Sequence, residues 1–206
     1  PRRVNAAPLL RVVDLPRHAV IGVVNATPDS FSDGGRYLRP EAAIAHGRAL
    51  AAAGAAVVEV GGESTRPGAD PVPEAEELER VIPVVAALAA DGLRVSVDTT
   101  KAAVAAAALA AGAVMVNDVS GGVREPEILA TVAAAGAAYV VMHTRGTPRT
   151  MRDEARYDDV VAEVGAELRE RVEAAMAAGV SPEALYADPG IGFAKDAEQS
   201  RALLHA

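Results

Sequence analysis

Short apolar runs alternate with longer amphipathic segments along most of this chain of 206 residues. Runs such as Val57 to Val60 have the length and β-branched composition of buried strands. Glycines such as Gly54 and Gly112 follow helical segments in the manner of C-caps. A further run, Leu9 to Leu15, is interpreted as a lead-in strand or hairpin. The pattern predicts helices at about 40–53, 74–90, 101–111, 125–135 and 158–178, and strands at about 20–24, 56–60, 94–97, 114–117, 138–142 and 185–187.

The order is strand then helix, six times over, which indicates a parallel sheet covered by helices. Such a sheet is either open and doubly wound or closed as a barrel, and polar residues follow all six predicted strands. A barrel gathers the groups from all its loops in one pocket, whereas an open sheet has its site at the switch point. We therefore predict a single α/β domain over residues 1–206, a (β/α)8 TIM barrel of which six βα units are present. The polar groups are Asn25, Gly61 to Arg66, Asp98, Asn117, His143 and Asp188.

Composition narrows the class of partner. The apolar content of 50% is enough for a substantial core, and the net charge of −8 without a basic block argues against nucleic acid. With no cysteine there is no disulfide framework and no thiolate metal site. No apolar run approaches the ~20 residues of a membrane span, and no signal segment opens the chain. We expect a cytoplasmic protein that contacts neither membrane nor nucleic acid.

The stretch from Gly61 to Gly68 has the composition of an anion site at the end of a strand. Two successive glycines let a ligand approach the main chain closely. Ser64, Thr65 and Arg66 then offer two hydroxyls and a guanidinium, which together bind phosphate oxygens. The alternative is a solvated connection between a strand and a helix, and this stretch alone does not decide between them.

Three acceptor-rich side chains point to a ligand with many N–H donors. Asp98, Asn117 and Asp188 each end a predicted strand, and a carboxylate in a closed pocket is costly unless it accepts hydrogen bonds. A flat heterocycle with an amino group and a ring N–H would satisfy them, as would a guanidine-like group. Alternatively, Asp98 caps the helix beginning near Thr99 or Thr100, and Asp188 is only a turn residue before Pro-Gly.

The remaining polar residues of these loops give weaker signals. His143 stands alone at a strand end and has no second histidine or acid at ligand spacing, so we interpret it as structural and expect no zinc site. The cations of these loops are Arg66, Arg145, Arg149 and Lys195, of which Arg149 is interpreted as a solvated surface residue.

Six ordered segments together resemble the dihydropteroate synthase family of the folate pathway, over essentially the whole chain. The resemblance implies a (β/α)8 barrel and a transferase that condenses 6-hydroxymethyl-7,8-dihydropterin diphosphate with p-aminobenzoate, releasing diphosphate. It also implies Mg²⁺ as cofactor and the homodimer that is usual for the family. The segments are Asn25 to Gly35 (NATPDSFSDGG), Gly61 to Gly68 (GGESTRPG), Ser96 to Thr99 (SVDT), Asn117 to Gly122 (NDVSGG), Met142 to Pro148 (MHTRGTP) and Asp188 to Lys195 (DPGIGFAK).

Carried over position by position, the resemblance implies a pterin slot. Asp98, Asn117 and Asp188 would hold the edge of the pterin, and Met142 and Phe193 would line its slot. Asp98 and Asp188 are therefore expected to take part in catalysis.

The resemblance assigns the diphosphate and the p-aminobenzoate to the first two loops. Asn25 would help bind Mg²⁺ on the diphosphate, and Thr65 and Arg66 would take diphosphate oxygens, so that Arg66 is expected to be catalytic. Phe31 and Pro67 would help to form the p-aminobenzoate pocket.

Three departures from the family pattern stand out. Glu59 occupies a position where the family usually has Asp, and Ala194 occupies one where it has Gly. The chain ends at Ala206, within the helix after the sixth strand, and it begins with Pro1. In the family, seventh and eighth strands supply a Lys-Ser-Arg and an Arg-x-His segment, so we expect this sequence to be a fragment. We expect it to have little synthase activity on its own.

Two other functions compete with this interpretation. One is a non-catalytic pterin-binding fragment or paralogue. The other is the pterin-binding barrel of corrinoid methyltransferases, which shares the Asp and Asn logic but has no reason to keep TPDSFSDGG and GGESTRPG.

Overall fold

The structure is a computed structural model that describes residues 15–16, 18–26 and 40–206. Phe31, most of the predicted lead-in segment and most of the first loop lie outside these ranges. No helix within them is long and apolar enough to cross a membrane. The strands are β1 (Ile21–Asn25), β2 (Val57–Gly61), β3 (Val95–Asp98), β4 (Met115–Asp118), β5 (Ala138–Met142) and β6 (Leu185–Asp188). The helices are α1 (Pro40–Ala52), α2 (Glu74–Ala90), α3 (Ala102–Ala110), α4 (Glu127–Ala135), α5 (Val160–Ala177) and α6 (Ala197–His205), with a 3-10 turn at Pro182–Ala184.

All six strands are parallel and lie in the order of the sequence, from β1 to β6. This is the strand order of consecutive βα units in a barrel, as predicted. One detail of the prediction is wrong. Asn25, Gly61, Asp98 and Asp188 are the last residues of their strands, and Asn117 is the last but one of β4, rather than the first residues of the loops. The ladder continues through them because its hydrogen bonds are made by the main chain, whatever the polarity of the side chain.

The outer face of the sheet packs against the helices and forms the main core. Val60, Val97 and Tyr139 lie on this face and are fully buried. Helix α2 packs on β2 and β3, because its apolar residues recur at the helical spacing of Val81 and Leu88, both fully buried. Burying one such side chain contributes about 1.5–3 kcal/mol, so this layer supplies much of the stability.

The inner face changes from apolar to polar along the strands. Val57, Met115 and Ala138 form a small buried cluster there. Successive side chains alternate between faces, so Asn117, two residues after Met115, and Gly61, four residues after Val57, also lie on this face. The polar end of the inner face therefore lies directly above the apolar cluster.

Candidate active site

A row of acceptors crosses the inner face at the carboxyl ends of the strands. Gly61 pairs with Asp98, and Asp98 pairs with Asn117, so their Cα atoms lie about 4.8 Å apart across the ladder. A Cβ built on Gly61 would lie 3.5 Å from Oδ2 of Asp98, so the glycine leaves this carboxylate open. The amide oxygen Oδ1 of Asn117 is buried and has no hydrogen-bond partner among the residues that the structure describes. A buried unpaired acceptor indicates a place for a ligand N–H.

The carboxyl group of Asp98 lies in a strongly acidic environment. Its burial, and then the nearby charges of Glu59, Glu77, Asp118 and Glu63, raise the pKa of Asp98 well above its usual value. Donors from a ligand would favour the ionised form and offset this cost. The site is therefore suited to a ligand edge that presents N–H groups, and ill suited to an anionic edge.

Glu59, where the family usually has Asp, lies one row deeper on the same face. Its side chain is 7% exposed and its Oε2 accepts from Ser96 Oγ at 3.2 Å. Burial raises the pKa of Glu59, and hydrogen bonds from Ser96 and Asn117 oppose that shift. The amide nitrogen of Asn117 is thus directed to Glu59, which leaves Oδ1 of Asn117 for another donor.

The two alternatives for the aspartates have different outcomes. Asp98 does not cap a helix, because α3 begins at Ala102 and the N–H of Ala102 donates to Glu125 Oε2 at 2.8 Å. Asp188 is indeed a turn residue, since its Oδ1 accepts from the N–H of Gly190 at 2.7 Å. Its other oxygen has no partner within the described residues and stays open to a ligand.

The loop after β2, residues 62–68, which we call the anion loop, packs closely against helix α2 at its first residue. A Cβ on Gly62 would lie 2.7 Å from Val81 Cγ2, so helix α2 can approach the strand end only at a glycine. The N–H of Gly68 donates to the carbonyl of Pro148 at 2.8 Å and joins this loop to the loop after β5. The side chain of Arg66 is exposed and forms no hydrogen bond within the described part of the chain.

Two adjoining clefts open between these loops, and Thr65 lines both of them. One cleft also contains Asp98, and the other contains Phe193, so the structure brings these predicted residues to the same end of the sheet. Asn25 is exposed at the end of β1, and Pro67 is exposed nearby on the anion loop. The shared walls of the two clefts are Thr65, Val119, Arg124 and Pro148.

Comparison with known proteins agrees with this geometry. The model of a family described as pterin binding enzyme matches residues 21–206. The chain belongs to the pterin-binding enzyme family. It is 56% identical over 188 residues to the dihydropteroate synthase of Mycobacterium leprae. This match covers 91% of the present chain but only 66% of the Mycobacterium leprae protein, which is less than two thirds of that protein's length.

Solved structures of the same class have the same fold. The dihydropteroate synthase of Xanthomonas albilineans with 4-aminobenzoic acid superposes with a TM-score of 0.84 at 50% identity, covering 94% of this chain and 68% of that one. The same enzyme in complex with 7,8-dihydropteroate gives a TM-score of 0.80 at 46% identity, with the same coverage. The chain thus contains about six βα units of a TIM barrel of this class.

The chain also holds a largely buried ion cluster that the sequence analysis missed. Lys101 Nζ lies 2.7 Å from Glu63 and also bonds Glu77, which is fully buried. The cluster ties the anion loop to the loop that follows Asp98. A signal existed in the sequence, because Glu77 falls on the apolar stripe of α2, four residues before Val81.

His143 belongs to a second missed network. Its Nε2 lies 3.0 Å from Glu167 Oε2, and Glu167 also binds Arg145, whose guanidinium lies 4.0 Å from the ring centre of Tyr157. Burial, followed by the charge of Lys195, lowers the pKa of His143 to about 4. The imidazole is therefore neutral near pH 7, which agrees with the predicted structural role.

The prediction for Arg149 is confirmed, because it forms an exposed surface pair with Asp70. Arg145 is different, since its guanidinium donates to Glu163 and Glu167 and is only partly exposed. A planar five-donor group can serve several acceptors at once, so Arg145 organises its loop instead of binding solvent alone.

Two glycines in the turn after β6 provide a matched test of how closely that turn packs against the end of β5. Gly190 and Gly192 both have positive φ, but only at Gly190 would a Cβ meet another atom, at 1.9 Å from the carbonyl oxygen of His143. We expect Gly192→Ala to cost about 1–2 kcal/mol from the left-handed backbone alone. Gly190→Ala should cost at least about 3 kcal/mol, because backbone must move as well. Urea unfolding measures both, and equal losses would contradict the packing described for Gly190.

Proposed function

We propose that this chain forms the pterin- and p-aminobenzoate-binding part of a dihydropteroate synthase. The observation that carries the proposal is the acceptor row of the inner face, in which Asn117 Oδ1 is buried without a partner beside the carboxyl group of Asp98. The likeness to dihydropteroate synthases at 56% identity supports the same activity.

A pterin edge complements this row. It presents a ring N–H and an amino group on one flat side, and these groups would donate to Asp98, Asn117 and the open oxygen of Asp188. Hydrogen bonds to charged acceptors contribute about 1.5–3 kcal/mol each, and they would offset the cost of ionising Asp98 among its acidic neighbours. Met142 is 3% exposed and pairs with Asp188 in the ladder, so it offers the pterin ring an apolar wall.

The loops above the acceptor row would bind the diphosphate. Thr65 and Arg66 offer a hydroxyl and an exposed guanidinium on the loop that follows β2. Within the described residues no group of three or more His, Cys, Asp or Glu could hold a metal ion. The oxygen atoms that the described parts of these loops offer are too few for a dedicated metal site. They suit a Mg²⁺ ion that is bound to the diphosphate and keeps most of its water ligands. We infer that Asn25 adds one amide oxygen to it, and the ion would neutralise charge on the departing diphosphate.

The reaction needs no covalent bond to the protein. The amine nitrogen of p-aminobenzoate forms a bond to the pterin methylene carbon as the carbon–oxygen bond to diphosphate breaks, and the amine loses one proton. Arg66 would stabilise the charge that grows on diphosphate, while Asp98 and Asp188 hold the pterin in line. Pro67, together with the predicted Phe31, would border the amine pocket, while Phe193 would line the pterin slot with Met142. The homodimer stays a prediction.

Diphosphate release, measured with and without p-aminobenzoate, tests the function on the protein that carries this chain. A dihydropteroate synthase releases diphosphate in step with dihydropteroate only when the amine is present. A binding protein would bind the pterin and release nothing. A methyltransferase-type pterin barrel would ignore p-aminobenzoate altogether.

Asp188→Asn should weaken binding of the pterin without harming the fold. Asn keeps the oxygen that accepts from Gly190 N–H but turns the open oxygen into a donor that faces a pterin donor. A loss of about 1.5–3 kcal/mol corresponds to one to two decades in affinity, which calorimetry measures. Asp196→Asn is the matched control, because Asn caps α6 as well as Asp does. Unchanged affinity in Asp188→Asn would remove this carboxylate from the site.

Arg66→Lys should weaken binding of the diphosphate group without weakening binding of the pterin ring. Lysine keeps the charge but lacks the planar fork that binds two phosphate oxygens at once. Affinity for the pterin diphosphate should fall about tenfold, whereas affinity for the pterin alcohol should stay the same. Arg149→Lys on the neighbouring loop is the control, because within the described ranges this arginine pairs with exposed Asp70 alone. Equal losses for both ligands would show that Arg66 acts through folding.

A further inference from the structure

A buried lysine ties together two segments that carry site residues. Lys195 is 7% exposed, and its Nζ lies 2.9 Å from His143 Nδ1 and 2.9 Å from the carbonyl oxygen of Phe193. The same atom lies 3.1 Å from the carbonyl oxygen of Gly190 and 3.3 Å from that of His143. None of these acceptors is a carboxylate. A buried ammonium served only by neutral acceptors is costly, so it is not explained by stability alone.

The acceptors belong to only two pieces of chain. His143 directly follows β5, while Gly190 and Phe193 close a tight turn in which Phe193 N–H donates to Gly190 O at 3.0 Å. This turn, residues 190–193, begins two residues after Asp188 and ends at Phe193. The ammonium therefore fixes the distance between the end of β5 and the turn that carries part of the proposed pterin site.

The imidazole of His143 is oriented to accept a hydrogen bond from the lysine ammonium. His143 Nε2 faces Glu167 at 3.0 Å, so this nitrogen carries the hydrogen and Nδ1 presents its lone pair to Lys195. Glu167 is held by Arg145, which stacks on Tyr157. The hydroxyl of Tyr157 donates to the carbonyl of Ala194, so the network returns to the residue beside Lys195.

We propose that Lys195 is a positioning residue, whose ammonium holds the 190–193 turn against the end of β5 in the geometry that binds the pterin. The proposal rests on the proposed function, because it takes the pterin as the ligand. The charged form is required, since only an ammonium can donate to the imidazole and to two or more carbonyls at once.

The groups around Lys195 make this clamp sensitive to pH. Burial, and then the charges of Arg171 and Arg145, lower the pKa of Lys195 to about 8, while the charges of Asp188 and Glu167 oppose the shift. Because the pKa of Lys195 is about 8, the ammonium is nearly complete at pH 7, is half lost near pH 8 and is mostly lost above about pH 9. Pterin binding should follow the same course.

The test is calorimetric affinity for 6-hydroxymethyl-7,8-dihydropterin between pH 6.5 and 9.5. The wild-type affinity should be nearly constant below about pH 7 and should fall through about pH 8 toward the affinity of Lys195→Met. Lys195→Met should bind about tenfold or more weakly at pH 7, without a break near pH 8. Lys195→Arg keeps its charge and should hold its affinity through pH 9.5. Arg169→Met, an exposed cation of α5, is the control and should match the wild type.

Hydrogen exchange at pH 7 provides a readout that needs no ligand. Amide protection of residues 190–193 should drop in Lys195→Met and return in Lys195→Arg, while the exchange of β2 and β3 stays unchanged. Wild-type affinity without a break from pH 7 to 9.5, or full protection of the turn in Lys195→Met, would overturn the proposal. If Lys195→Met does not fold, the profiles of wild type and Lys195→Arg still decide it. Wild-type protein that binds no pterin at any pH would refute the proposed function, and hydrogen exchange would then decide the clamp alone.

Discussion

The register of the parallel strands is the constraint on which the site depends. Asp98 lies opposite both Gly61 and Asn117, so a shift of one residue between β3 and β4 would turn one of the acceptors away from the inner face. The apolar helices fix that register from outside, through a core that a shifted strand could not fill. The same packing that stabilises the fold therefore gives the acceptor row its geometry.

The acidic inner face is costly in the absence of a ligand, and that cost indicates function. Several carboxylates raise the pKa of Asp98, and Asn117 Oδ1 stays unpaired in a buried position. Cations offset part of this charge, because Lys101 and Arg124 contact Glu63 and Lys101 also bonds the buried Glu77. Donors from a bound heterocycle would relieve it at the centre, so the site gains most from a flat ligand edge that is rich in N–H groups.

The order of the elements could be read from the sequence because it depends on local patterns. Apolar runs and glycine caps predicted β5 (Ala138–Met142) at its observed bounds and the other strands within one residue. The position of Asp98 at the end of β3, and of Asn117 within one residue of the end of β4, likewise followed from the pattern. What the pattern could not supply were contacts between distant segments. Lys195 was seen only as a loop cation, because its burial depends on His143, 52 residues earlier in the chain.

The central claim is that the acceptor row recognises the donor edge of a pterin, and a comparison of two ligands tests it on the unaltered protein. The second ligand is the matching lumazine, in which a carbonyl oxygen replaces the 2-amino group of the dihydropterin. Calorimetry should give the lumazine an affinity at least about tenfold weaker, because an acceptor would then face acceptors. Equal affinity for the two ligands would contradict the account of the site.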